Sequence, residues 1–248
     1  MKMRVSLLSR TDRAQVVVAA AAKTCTSSKS IDEIYNSLTE ESIEKLIDNV
    51  IASGHHSVLE HASYTFAIEG VSRALLAQLT RHRIGVSFSV RSQRFVSMED
   101  LTPNDLLDTT NHTDNDYLDF RDTFEDALKA YKKLIKKGAA KEDARMVLPN
   151  ATPTSLVMTM NAREIYHFCG LRMCSRAQTE IRILANHICT ICQDVDPLLF
   201  KTLGPHCKQY GYCPEGKRSC GIEYTIEEYK AAMDDLGQAK HELSVMKL

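Results

Sequence analysis

The sequence predicts an α/β chain, more narrowly α+β, in which a mixed sheet is flanked by long helices. Three observations carry that expectation. Short stretches of strand character, Val5 to Leu8 and Ser63 to Ile68, stand apart from longer stretches with helical period. Two of the helical stretches have start and stop signals of their own. No internal repeat or linker divides the 248 residues, so one domain spanning 1–248 is expected, with a Cys-rich extension at about 204–221.

After the strand at Val5 to Leu8, Asp12 to Lys23 reads as an Ala- and Val-rich helix. The next helix begins at Thr39, whose hydroxyl suits an N-cap, with Glu40 and Glu41 favoured at the positive end of the dipole. Ile43, Leu46, Ile47, Val50 and Ile51 form its buried face, and Gly54 supplies a left-handed end. A strand over Ser63 to Ile68 is expected to stop at Gly70, followed by a helix over Val71 to His82 and, from Ser87 to Met98, a polar loop running into a strand.

Thr102 to Asp116 is a polar insertion with few apolar anchors. Tyr117 to Lys137 reads as a long helix with the stripe Tyr117, Phe120, Phe124, Leu128, Tyr131 and Ile135, stopped by Gly138. Its lysines 132, 133, 136 and 137 read as a solvated face. Asn161 caps a helix through Phe168 that Gly170 interrupts, and Cys174 to Asp194 is a further helix closed by Pro197. Ile226 to Leu236 is helical as well.

Bulk composition narrows the function classes. Net charge is −1, from 31 basic and 32 acidic residues, which disfavours a dedicated nucleic-acid binder. The longest apolar run, Val16 to Ala22, falls well short of the roughly 20 residues that span a bilayer, and the N-terminal residues lack a secretory apolar region. A cytoplasmic protein with no membrane partner is expected, its eight cysteines kept as thiols rather than as a disulfide framework.

Neither a P-loop nor a Rossmann glycine fingerprint occurs, and there is no Gly-x-Ser-x-Gly elbow. The unusual feature is arginine density. Arg81, Arg83, Arg91 and Arg94 crowd together with Ser87, Ser89, Ser92 and Gln93, and Arg145, Arg163, Arg172 and Arg176 follow downstream. Guanidinium forks bind phosphate through paired N–H groups, and hydroxyls or loop amides complete the oxygen shell. Spacing alone leaves open a plainer reading, in which these arginines are solvated or ion-paired. With only Phe88 between Arg81 and Arg94, and Phe95 after them, a stacking surface for RNA is disfavoured.

The order of the motifs decides between these readings. Gln78-Leu79-Thr80-Arg81-His82-Arg83, followed by Ser92-Gln93-Arg94-Phe95, resembles the signature of the flavin-dependent thymidylate synthases. His55 to His61, Arg145-Met146-Val147-Leu148-Pro149, and the block Asn161-Ala162-Arg163, Leu171-Arg172 and Gln178-x-Glu180 resemble three further segments of that family, in the same order. The resemblance covers about Gly54 to Pro197 and implies the thymidylate synthase-complementing fold.

It implies an enzyme that makes dTMP from dUMP, with methylenetetrahydrofolate as carbon donor and FAD reduced by NADPH as hydride carrier, in a homotetramer with shared sites. On that pattern Gln78, Leu79, Thr80, Arg81, Arg91, Ser92, Gln93, Arg94, Arg145 and Arg172 would contact dUMP. Arg94 and Arg145 would take the phosphate, and Arg172 would be the catalytic group at the uracil. His55, Ser57, Arg81, His82, Arg83, Asn161, Arg163 and His167 would form the FAD site. The sequence departs from the pattern by one extra residue between Arg83 and the motif serine, taken as Ser92 with Ser89 as the alternative. His167 stands where asparagine is usual, and Arg176 where many members carry histidine.

No metal site is expected. The histidines near Glu60 lack an HExxH or comparable spacing, and Cys189 and Cys192 read as core thiols. Cys207, Cys213 and Cys220, with His206, remain open as a small structural zinc site, although paired CxxC knuckles are missing.

Overall fold

The structure is a computed structural model describing residues 3–105 and 114–222. Its centre is a sheet of β1 (Arg4–Arg10), β2 (Ser63–Ser72), β3 (Val86–Val90) and β4 (Pro153–Asn161), in the order β1-β2-β4-β3. Around it lie α1 (Ala14–Thr24), α2 (Ile31–Ser37), α3 (Glu40–Ala52), α4 (Arg73–Leu79), α5 (Asp114–Lys136) and α6 (Lys141–Ala144). After β4 come α7 (Ala162–Arg172), α8 (Thr179–Val195), α9 (Pro197–Phe200) and α10 (His206–Tyr210). The α+β expectation holds. The sheet, however, is antiparallel in all three pairings rather than mixed.

Alternation along the two central strands explains why they sit there. Tyr64, Phe66 and Ile68 on β2, and Leu156, Met158 and Met160 on β4, all turn into one core shared with α1, α3, α4, α7 and α8. The outward face is polar, with the Thr65 and Thr159 hydroxyls 2.9 Å apart across the pair. β4 was not foreseen. Its period of two is there, but it is written in Thr, Ser and Met rather than in β-branched apolar residues.

Several boundaries differ from the sequence reading for identifiable reasons. Gly70, at φ 66°, does not end β2; it sits at a register shift between Glu69 and Val71, and the strand runs on to Ser72. The expected helix from Val71 starts only at Arg73, because the Ser72 hydroxyl caps it by accepting the Leu75 N–H at 2.9 Å. The polar segment after Gly85 opens with an edge strand, β3, instead of ending in one. Gly170 lies inside α7 without interrupting it, and Gln178 delays α8 to Thr179 by capping it. Pro197 closes nothing new; it is the first residue of α9. Helix α2 was missed although Ser30 and Glu33 form a full capping box. α3 matches expectation, with Thr39 capping and Gly54 at φ 72°.

On α5 the expected stripe buries Phe124, Leu128 and Tyr131, whereas Phe120 is 42% exposed. These side chains pack on Met98, Leu101, Ala144 and Leu148, a satellite core that clamps the loop after β3 against the segment carrying Arg145. Each buried side chain of this kind contributes about 1.5–3 kcal/mol. The expected helix at 226–236, residues 106–113 of the polar insertion and the Tyr117 side chain lie outside the described residues.

Candidate active site

Helix α4 organises the site by its two ends. Arg73 is its first residue and Arg81 follows its last turn, a separation of about 12 Å at helical rise. Each end gathers cations from elsewhere in the chain.

At the C-terminal end a hydrogen-bonded chain runs from the core to a cleft. The Glu164 carboxylate lies 2.7 Å from His82 Nδ1, and His82 Nε2 lies 3.1 Å from Arg172 Nε. Arg172 also donates from Nη2 to the Gln78 carbonyl at 3.4 Å. A cleft of about 330 Å³ is lined by half-buried Arg172 with Arg81, Arg83, Ile84, His167 and Leu171, and the buried His82 and Glu164 contribute to its wall. Burial, with the Arg81 charge as second cause, lowers the Arg172 guanidinium from its ordinary value. It nonetheless remains a cation, as arginine does in proteins.

At the N-terminal end, Arg73 donates to the Arg91 carbonyl at 2.8 Å. Burial first, and the nearby Arg145 charge second, lower its guanidinium too. Arg145 Nε donates to the Glu142 carbonyl at 3.1 Å, and Arg94 pairs with the Glu142 carboxylate at 2.6 Å. Glu142 is the acid paired within this group of guanidinium ions. Arg73 Nε and Gln93 Nε2 are buried without a hydrogen-bond partner among the described residues. Unpaired buried donors beside concentrated positive charge fit an anion rich in oxygen, such as a phosphate monoester.

The structure sorts the sequence-predicted residues. Arg94 and Arg145 meet through Glu142 at one end of α4, with Gln93 next to Arg94 in the chain, and Gln78, Arg81 and Arg172 gather at the other. Ser92 lies in the same turn as Gln93 and Arg94, its hydroxyl accepting the Arg94 N–H at 3.2 Å, whereas Ser89 is on the edge strand β3. Leu79 is wholly buried, so its side chain belongs to the core, and the Thr80 hydroxyl is donated to Leu76 of its own helix at 2.9 Å. Leu79 has only backbone groups to offer, and the Thr80 hydroxyl can still accept.

The residues of the expected FAD site surround the start of α7. Asn161 caps that helix, its Oδ1 accepting the Glu164 N–H at 2.9 Å, and Gly85 packs so closely that a Cβ would come within 2.5 Å of its amide. Arg163 pairs at 2.6 Å with Glu60, in the 3-10 turn His56–His61 that contains Ser57 and follows His55. His167 meets His82 edge-on, with ring centroids 5.7 Å apart. Arg81, Arg83, Arg163 and His167 give a cation- and donor-rich set, which suits a diphosphate-bearing dinucleotide. Arg172 and Arg176 do not share a helix: Arg176 lies in the turn before α8 and donates to the Arg218 carbonyl at 2.9 Å.

Two residues escaped the sequence reading, Arg73 and Glu164. Arg73 directly after a strand-ending Ser72 was a readable hint; Glu164 offered none beyond its place three residues after the capping Asn161. Among the described residues, the compact set of metal-compatible groups is His82, Glu164 and His167, not the tail cysteines. Cys174, Cys207, Cys213 and Cys220 instead line a separate cavity of about 560 Å³ between the end of α7 and the tail.

Residues 6–198 match the family model described as thymidylate synthase complementing protein. A flavin-dependent thymidylate synthase of Geobacter sulfurreducens is 43% identical, over 88% of this chain and 94% of its own. One from Clostridium tetani is 41% identical, over 89% and 94% respectively. A UMP/dUMP methylase, PolB, from Streptomyces cacaoi, crystallised with 5-Br dUMP, superposes with a TM-score of 0.68 at 26% identity, covering 81% of this chain and 94% of that one.

Proposed function

Because the chain belongs to the thymidylate synthase complementing protein family, we propose that it is a flavin-dependent thymidylate synthase that converts dUMP to dTMP. Methylenetetrahydrofolate is the carbon donor, and FAD reduced by NADPH carries the hydride. The observation that carries the substrate assignment is the group Arg73, Arg94 and Arg145 with Gln93 beside Arg94 in the chain: the buried Arg73 Nε and Gln93 Nε2 have no partner among the described residues.

In this reading Arg94, Arg145, Ser92, Gln93 and Arg91 hold the phosphate of dUMP, joined by Arg73. Gln78 and Arg81 hold the nucleoside, and Arg172 faces the uracil. There Arg172 favours negative charge on the ring nitrogen and so activates the pyrimidine toward the incoming carbon. A guanidinium suits the task, since it stabilises a developing anion without giving up its own proton. His55, Ser57, Arg81, His82, Arg83, Asn161, Arg163 and His167 would hold the flavin, His82 by supporting its neighbours, since both its ring nitrogens are engaged within the protein. FAD supplies the redox chemistry; the protein places and polarises the reactants. Cys169 and Cys192 are not nucleophiles: both are buried, and burial pushes both thiols up, out of the reactive range.

We further propose a cytoplasmic homotetramer in which a neighbouring subunit completes each site. Ile84, Phe95 and Met146, all more than two-thirds exposed at 80%, 74% and 82%, flank the two cationic ends and would be covered by such a neighbour. Among the described residues no helix is long and apolar enough to cross a membrane. The test is direct. Purified protein should show an oxidised-flavin spectrum, or acquire one with FAD, and should form dTMP only when dUMP, methylenetetrahydrofolate and NADPH are all present. Protein that stays colourless after reconstitution would overturn the assignment, and light scattering reads the subunit count.

A further inference from the structure

We propose that Glu164 is a positioning residue for this reaction: acting through His82, it fixes the Arg172 guanidinium in the cleft. The proposal rests on the role given to Arg172 above. Its basis is the polarity of the hydrogen-bonded chain. An arginine Nε can only donate, so His82 Nε2, 3.1 Å away, must accept. A neutral imidazole with an accepting Nε2 carries its proton on Nδ1, and that proton points to the Glu164 carboxylate 2.7 Å away. A carboxylate accepts without the option of turning round to donate, so it enforces this tautomer. The reverse tautomer would set an N–H of His82 against the N–H of Arg172.

Burial gives the arrangement its weight. His82 is 5% and Glu164 7% exposed, so water does not substitute for either bond. Glu164 is itself anchored in the first turn of α7, where its amide donates to Asn161 Oδ1. Arg172 ends the same helix, so the side chains of Glu164, His82 and Arg172 together link the first turn of α7 to its last. With Nε held by His82 and Nη2 by the Gln78 carbonyl, the plane of the guanidinium is set and its remaining N–H groups serve the cleft that it lines. Glu164 touches no substrate in this scheme.

The experiment reads the tautomer and the turnover separately, on the full-length FAD-loaded protein. Histidines labelled with 15N report the tautomer of His82 by NMR, with the resonance assigned by its loss in His82→Asn. Glu164→Met keeps the volume and removes the acceptor; Glu164→Gln keeps the shape and permits the amide to flip. Both should move His82 toward the Nε2–H form, most fully in Glu164→Met. The kcat for dTMP formation should fall on the order of tenfold to a hundredfold, as for loss of a supporting hydrogen bond behind a functional group. KM for dUMP should change by less than about threefold, because the interaction lost is one that matters at the reacting ring. An unchanged tautomer in both variants overturns the proposal, as does a shifted tautomer with unaltered kcat. Inactive wild-type protein would overturn the assigned reaction and the catalytic half of this proposal, whereas the tautomer arm tests the hydrogen-bonded chain by itself.

Discussion

Two buried acids, Asp196 after α8 and Glu164 in the first turn of α7, each hold a guanidinium by a different route. Around Asp196 the bonds converge. Arg10 Nη1 donates to both carboxylate oxygens at 2.8 Å, and the Tyr64 hydroxyl donates to Oδ2 at 2.9 Å. Three elements, β1, β2 and the end of α8, are tied at one point that faces the core. Around Glu164 the bonds run in series, through a neutral imidazole, to an arginine at the wall of a cleft. The electrostatic problem is the same in both cases, since a buried carboxylate needs compensation. A convergent solution turns every bond the carboxylate makes toward the fold. A serial one leaves donors over at its far end for chemistry.

The contrast can be broken from either side. Arg172→Ala should show the largest effect, a loss of dTMP formation of about a hundredfold to a thousandfold, the range for removing a charge-stabilising donor. Flavin should stay bound, and the thermal midpoint should stay close to that of the wild type. Assays of dTMP with parallel flavin absorbance check this, and normal turnover would remove Arg172 from the reaction. Asp196→Ala should do the opposite, costing about 3 kcal/mol of stability by stranding Arg10 and the Tyr64 hydroxyl. That figure is taken at the low end because the Arg10 side chain is 35% exposed. Urea melts read the stability loss, and turnover per folded protein below the transition should be unchanged.

A third variant sharpens the comparison at the other end of α4. Arg73→Gln should weaken dUMP binding by about 2 kcal/mol, the scale of a hydrogen bond to a charged group, while leaving deoxyuridine binding alone. Calorimetry with the two ligands separates a phosphate contact from a general loss of the pocket. The smallest effect belongs to Tyr64→Phe, about 1 kcal/mol in the same urea melts, since Asp196 keeps Arg10 when one neutral donor is lost. A cost as large as that of Asp196→Ala would mean that the tyrosine, not the arginine, anchors the convergent site.

What could be read in advance follows the range of the interactions. Helix α3 was legible down to its caps because Thr39, Ser42 and Gly54 act within a few residues of where they stand. The arginine-rich segment was legible because its members are neighbours in the chain. Glu164 was not, since its partner His82 lies 82 residues away and nothing local marks the pair. The same holds for β4, which becomes a central strand by pairing with β2 and β3 on either side and buries methionines that carry no strong strand preference. Arg73 had a local cue in the capping Ser72, but its meaning depends on Arg91 and Arg145 arriving from elsewhere.

Gly170 has a bearing on how this protein can be recombined with its relatives. A β-carbon there would sit 2.1 Å from the His206 ring, so the tail beginning near Pro205 is seated directly against the last turn of α7. The family model ends at residue 198, before that tail. A chimera that carries residues 199–222 onto a relative must therefore bring a glycine to this turn of α7 as well. With a larger residue there, the His206 ring on the wall of the 560 Å³ cavity would have to shift. The tail and the last turn of α7 are a single exchangeable part, joined where Gly170 meets His206.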